Sequence, residues 1–124
     1  VHLGQDDLPC AVARRLVGED FIIGVSAHNP AEAVQAVSEG ADYLGCGAVF
    51  GTATKHDVAK LGLENLRAIR KAVAVPMVGI GGITADNYAE VLATGADGAA
   101  IVSGILAQDD IGAVVKKLVA TKQK

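Results

Sequence analysis

Short apolar runs rich in Val and Ile alternate along this chain with stretches whose apolar positions recur at helical spacing. The run FIIGVSA (residues 21–27) is followed by PAEAVQAVSEG and then by DYLGCGAVF. Further on, LENLRAIRKAV leads into VPMVGIGG, TADNYAEVLATG and DGAAIVSGIL, and a last helix is predicted from Asp109 onward. VHLG at residues 1–4 reads as one more strand, and Leu8-Pro9 as the opening of a helix. A β-α-β-α order predicts a parallel sheet. Strands that are continuously apolar, rather than alternating, are expected to be covered on both faces.

End signals fall where this reading needs them. Asn29 precedes Pro30, the favoured first helical residue; Thr84 precedes the helix that Gly95 ends, and Gly40 ends the earlier one. An internal repeat supports the layout: a shift of 55 residues aligns Gly24 with Gly79 and Gly40-Ala41-Asp42 with Gly95-Ala96-Asp97. Duplicated βαβ units of this size build both barrels and doubly wound sheets. The interval from Val49 to Leu61 differs, being polar and longer than a usual βα loop, and such loops tend to carry function.

Polar residues collect after the predicted C-terminal ends of successive strands, the edge where parallel α/β folds build their sites. Gln5, Asp6 and Asp7 follow the first strand, Ser26 and His28 the second, Thr52, Thr54 and Lys55 the third, Gly81 and Gly82 the fourth, and Ser103 and Gly104 the fifth. VGIGGIT and IVSGIL each set Gly or Ser between a strand and a helix start, where backbone N–H groups and the helix dipole favour an anion. The inference is a small phosphate site made by the last two strands, although glycine in such turns also simply relieves crowding. TATK combines one positive charge with two hydroxyls on a single loop, a set suited to phosphate oxygens; a solvated polar loop is the plain alternative. Asp6 and Asp7 suit Mg²⁺, which takes one or two carboxylates plus substrate phosphates, or else one of them caps the helix that follows. His28 is an acid–base candidate or a hydrogen-bonded structural residue. His2 and His56 carry no pattern, and Asp42 and Asp97 read as turn residues.

Composition narrows the function classes. The 124 residues are 51% hydrophobic and 20% charged, so a single globular domain over residues 1–124 is expected. A net charge of −3, with the 11 Lys and Arg scattered, offers no basic stripe for nucleic acid. Aromatic residues are only Phe21, Tyr43, Phe50 and Tyr88, which speaks for tight helix-on-sheet packing over an aromatic-lined groove. Cys10 and Cys46 read as buried thiols of a reducing compartment. No apolar run approaches the ~20 residues of a membrane span, and residues 1–9 lack a secretion signal, so a cytoplasmic setting without membrane partners is expected. Ser-His-Asp, paired-Cys metal and Walker-type motifs are missing from the sequence.

GQDD, IIGVSAHNPAEA, GADYLGCGAVFGTATKHD, VGIGGIT and GADGAAIVSGI, in this order and across nearly the whole chain, resemble the thiamin phosphate synthase family. The resemblance implies a TIM-barrel transferase that joins hydroxymethylpyrimidine pyrophosphate to thiazole phosphate with Mg²⁺, giving thiamin phosphate and pyrophosphate. It implies that pyrophosphate leaves first and that the thiazole nitrogen attacks a pyrimidine cation, so that leaving-group stabilisation dominates. Matched by motif, Asp7 becomes a Mg²⁺ ligand, Ser26 and Lys55 become pyrophosphate contacts with a catalytic role, and Thr52, Thr54, Gly82, Val102 and Ser103 hold the thiazole phosphate.

Departures from the family pattern are Ala48 and Gly51 where Pro is frequent and Asn29 where Thr is usual. The first strand looks like the fourth of the barrel, so the expected architecture is about five βα units forming the C-terminal portion of a (β/α)₈ barrel, without the first three strands. A chain of 124 residues is too short to close a barrel that needs at least ~200. Open sheet edges then predict a homo-oligomer. Two other functions remain at this stage: the related thiazole tautomerase, which isomerises with a histidine and keeps His28 in view, and a non-catalytic half-barrel that binds phosphate.

Overall fold

The computed structural model describes residues 1–51 and 56–123, the side chains of residues 56–61 excepted. Five parallel strands, β1 (His2–Leu3), β2 (Gly24–Ala27), β3 (Tyr43–Cys46), β4 (Met77–Ile80) and β5 (Gly98–Ala100), lie side by side in their order along the chain. Between and after them run α1 (Cys10–Val17), α2 (Pro30–Ser38), α3 (His56–Ala72), α4 (Tyr88–Ala93), α5 (Ser103–Leu106) and α6 (Ile111–Gln123). A sheet that grows in one direction through right-handed crossovers carries its connecting helices on one face. This is the wall of a βα barrel; a doubly wound sheet would reverse its strand order.

The register separates the two faces. Leu3 pairs with Val25, Val25 with Leu44 and Leu44 with Met77, and these side chains are buried against the helices together with Ala33, Ala36, Leu66, Ile69 and Val91. Ser26 pairs with Gly45, Gly45 with Val78 and Val78 with Gly98 on the opposite face. The first face is thus covered by helices as expected, and the second carries small side chains and glycines. Ile80 on β4 is 44% exposed on this face.

Local chemistry explains the element ends. The Asn29 side chain accepts from the Glu32 N–H at 2.8 Å, with Pro30 as the first residue of α2. The predicted start at Thr84 moves to Asn87: Thr84 instead forms a turn, its hydroxyl accepting from Asp86 N–H, before α4 begins at Tyr88. Asp110, not Asp109, opens α6, accepting from the Ala113 N–H at 3.0 Å. Cys10 and Cys46 are buried and unpaired with each other, and desolvation pushes the Cys46 thiol up to about 11 and raises that of Cys10. Among the described residues no helix is long and apolar enough to cross a membrane.

Candidate functional site

Two groups of polar atoms lie at the C-terminal ends of the strands. The first belongs to the last two strands. Gly81 and Gly82, with φ of 105° and 65°, turn the chain out of β4, and the Asn87 side chain fastens this turn by donating to the Gly82 carbonyl and accepting from the Thr84 N–H. Facing it, β5 runs through Ile101 and Val102 into the short α5, whose first turn begins at Ser103 and leaves N–H groups without intrahelical acceptors. Ile80, Gly81, Gly82, Ile83, Ala100, Ile101, Val102 and Ser103 line the resulting cleft of about 120 Å³. Gly82, Val102 and Ser103, chosen from separate motifs, thus share one anion-sized recess.

Glycine is required there for packing as well. A Cβ on Gly82 would stand 2.6 Å from the Phe50 carbonyl oxygen in a left-handed conformation. Phe50 reaches this point because its N–H donates to the Gly81 carbonyl, and that of Val49 to Ile80. Crowding against Phe50 is by itself a sufficient reason for this glycine. Thr52, Thr54 and Lys55 lie outside the described residues, two to five positions along the chain from Phe50.

The second group belongs to β1 and β2. The Gly4 N–H donates to Asp7 Oδ2 at 2.7 Å, and the Asp7 N–H donates to the Gly4 carbonyl. This closed turn corrects the capping alternative: Pro9 occupies the N-cap position of α1 without a side-chain cap, so neither Asp6 nor Asp7 serves there. Gln5 donates its amide to the Ser26 carbonyl at 2.7 Å, tying the β1 end to β2. Ser26 Oγ stands 2.9 Å from His2 Nε2, and His2 Nδ1 stands 3.1 Å from the Tyr43 hydroxyl. The sequence reading set His2 aside; its partners come from two other strands, and only its alternation with Leu3 signalled which face it occupies.

Asp7 is exposed, with one carboxylate oxygen held by Gly4 and the other without a protein partner among the described residues. That donor set fits Mg²⁺ as a single protein ligand whose remaining positions are filled by phosphate and water. Among the described residues no three His, Cys, Asp or Glu side chains cluster to hold a metal by themselves.

His28 has a different task. Its N–H donates to Glu32 Oε1 at 2.8 Å, its Nδ1 lies 2.9 Å from the same oxygen, and its carbonyl accepts from Asn65. The backbone hydrogen bond, followed by the imidazole contact, holds the Glu32 carboxyl below its usual range. His28 supports the start of α2 through these bonds.

The model of the thiamine monophosphate synthase family matches residues 1–105. The thiamine-phosphate synthase of Chloroflexus aurantiacus is 56% identical over 119 residues, covering 95% of this chain and 55% of that protein. That of Moorella thermoacetica is 51% identical over 119 residues, covering 95% of this chain and 57% of its own length. The solved thiamine phosphate pyrophosphorylase from Pyrococcus furiosus superposes with a TM-score of 0.87 at 41% identity, over 99% of this chain and 58% of that one. The chain thus spans a little over half the length of the relatives it matches.

Proposed function

The chain belongs to the thiamine monophosphate synthase family, and from that premise we propose that it carries part of the site that joins hydroxymethylpyrimidine pyrophosphate to thiazole phosphate. In this reading the bond between the pyrimidine methylene carbon and its pyrophosphate oxygen breaks, and the electron pair leaves with pyrophosphate. The thiazole nitrogen then donates its lone pair to that carbon, giving thiamin phosphate. Catalysis rests on neutralising the departing charge. The single observation that carries the reading is the recess shared by Gly82, Val102 and Ser103, sized for a phosphate group at the strand ends.

Ser26 and Lys55 contact the pyrophosphate in this proposal, and Lys55 supplies positive charge as it departs. Thr52 and Thr54 join Gly82, Val102 and Ser103 around the thiazole phosphate. Mg²⁺, held by the remaining Asp7 oxygen, would offset pyrophosphate charge when bound. A reducing, cytoplasmic setting is consistent with the two buried thiols. We further propose that this chain, the C-terminal part of a barrel wall, self-associates through the unpaired edges of β1 and β5. A monodisperse 12.5 kDa species in sedimentation at tens of micromolar overturns that association.

The test is thiamin phosphate formation with both substrates and Mg²⁺, comparing wild type with Lys55→Ala. The expected loss is about 10²–10³-fold, the scale of removing one group that stabilises developing charge. Product formation indifferent to Lys55 sinks the assignment of that residue. If wild type gives no product while thiazole phosphate still raises its Tm, the chain is a phosphate-binding module.

A further inference from the structure

The sheet face away from the helices carries a chain of polar groups that the proposed function leaves unexplained. His2 on β1, Ser26 on β2 and Tyr43 on β3 come together although 24 and 41 residues separate His2 from its two partners. The face is built to hold them. A Cβ on Gly24 would fall 2.0 Å from the Tyr43 ring, so glycine there lets the phenol lie flat across β2 toward β1. The imidazole and phenol rings stand 5.7 Å apart, centroid to centroid, tilted by 37°. All three side chains lie on the face opposite the one that packs on the helices.

We propose that His2 is a positioning residue that sets the direction of the Ser26 hydroxyl proton, an inference that rests on the reading of Ser26 as a pyrophosphate contact. A phenol is a good donor and Tyr43 has its hydroxyl at His2 Nδ1, so Nδ1 accepts. The ring's proton then sits on Nε2 and is donated to Ser26 Oγ at 2.9 Å. With a lone pair of Oγ already occupied, the serine O–H is left to donate outward, to an anionic oxygen over the strand ends. Gln5, by fastening the Ser26 carbonyl, holds the backbone of the same residue. Without Tyr43 the other imidazole tautomer becomes accessible and the hydroxyl spends part of its time donating to Nε2 instead; without His2 it rotates freely.

Two readouts separate this inference from the reading beneath it. Long-range ¹H–¹⁵N NMR of the histidine rings at about pH 8, above the ordinary histidine range, reports the tautomer without any ligand. The Nε2–H form is expected for His2, with its Nδ1 resonance moved by Tyr43→Phe; an Nδ1–H form overturns the proposal whatever binds. Titration with inorganic pyrophosphate and Mg²⁺ then reads the consequence. Ser26→Ala and His2→Leu should each weaken binding roughly tenfold, the scale of one charge-assisted hydrogen bond, and the double variant no further. His2→Gln, whose amide donates from near the Nε2 position, should restore most of the affinity. His2→Leu binding as wild type does, while Ser26→Ala is impaired, overturns the positioning role alone. Wild type that fails to bind pyrophosphate overturns the reading of Ser26, and the inference with it.

Discussion

The two ends of this sheet are built on opposite rules. At the N-terminal ends of the strands the same device occurs twice. Asp42 Oδ2 accepts from Ile23 N–H and from Arg14 Nη2, and Asp97 Oδ2 accepts from Met77 N–H and from Arg70 Nη1. Each arginine comes from the helix before the clamped strand and also closes that helix's exit, Arg14 onto Gly18 and Phe21, Arg70 onto Val73 and Val75. At the C-terminal ends nothing repeats. Asp7 closes a turn, Ser26 faces His2, Gly82 faces Ser103, and each loop has its own length and residues. Barrel folds divide labour in this way, with stability at one face and chemistry at the other. A repeated clamp is reusable because a strand start always presents the same unsatisfied N–H; a substrate presents different atoms to every loop.

The sharpest way to break the contrast is Gly82→Ala, which asks the C-terminal end to bear a structural load. A left-handed alanine pressed on the Phe50 carbonyl should cost about 2–4 kcal/mol of stability, besides abolishing phosphate binding. Thermal unfolding with and without thiazole phosphate measures both; an unchanged Tm would mean that the turn is free to relax. Next come the clamps. Arg14 makes five hydrogen bonds and Arg70 three, with side chains 11% and 22% exposed. Arg14→Met should therefore cost about 2–3 kcal/mol and Arg70→Met about 1–2 kcal/mol by urea unfolding, with phosphate affinity preserved in both. Equal losses would show that the two copies differ in appearance only.

The smallest effect lies in pH. The Ile23 N–H, and after it Arg14, hold the Asp42 carboxyl below its usual range. A depressed folded-state value means that Asp42 adds stability above the ordinary carboxylate range and loses it as pH falls through the lowered value. Asp42→Asn keeps an acceptor for Ile23 but does not titrate, so the acid limb of Tm against pH should flatten while neutral stability falls modestly. An unaltered acid limb would remove Asp42 from the acid response.

The repeat itself shows how far a linear reading reaches. The Gly-Ala-Asp turns align 55 residues apart as the sequence suggests, and both glycines have positive φ. The alignment of Gly24 with Gly79 does not survive. Ile23 and Met77, the residues whose N–H groups meet the aspartates, stand 54 apart, so Gly24 corresponds to Val78. A Cβ on Gly24 would strike Tyr43, whereas one on Gly79 would meet Val91, Val49 and Ile83 on the helix side. A one-residue slip exchanges the faces of a strand, and apolar runs without alternation carry no signal to prevent it.

Element order, the parallel sheet, the start of α2 and the glycine turn after β4 were determined by the sequence alone, because each depends on neighbours a few residues away. So was the family, since five ordered motifs carry far more specificity than any strand pattern. The tertiary structure alone decided which side each strand residue faces and that His2, Ser26 and Tyr43 meet on the side away from the helices. Facing is set by pairing register and by which side the helices bury, and both are relations between segments distant in sequence.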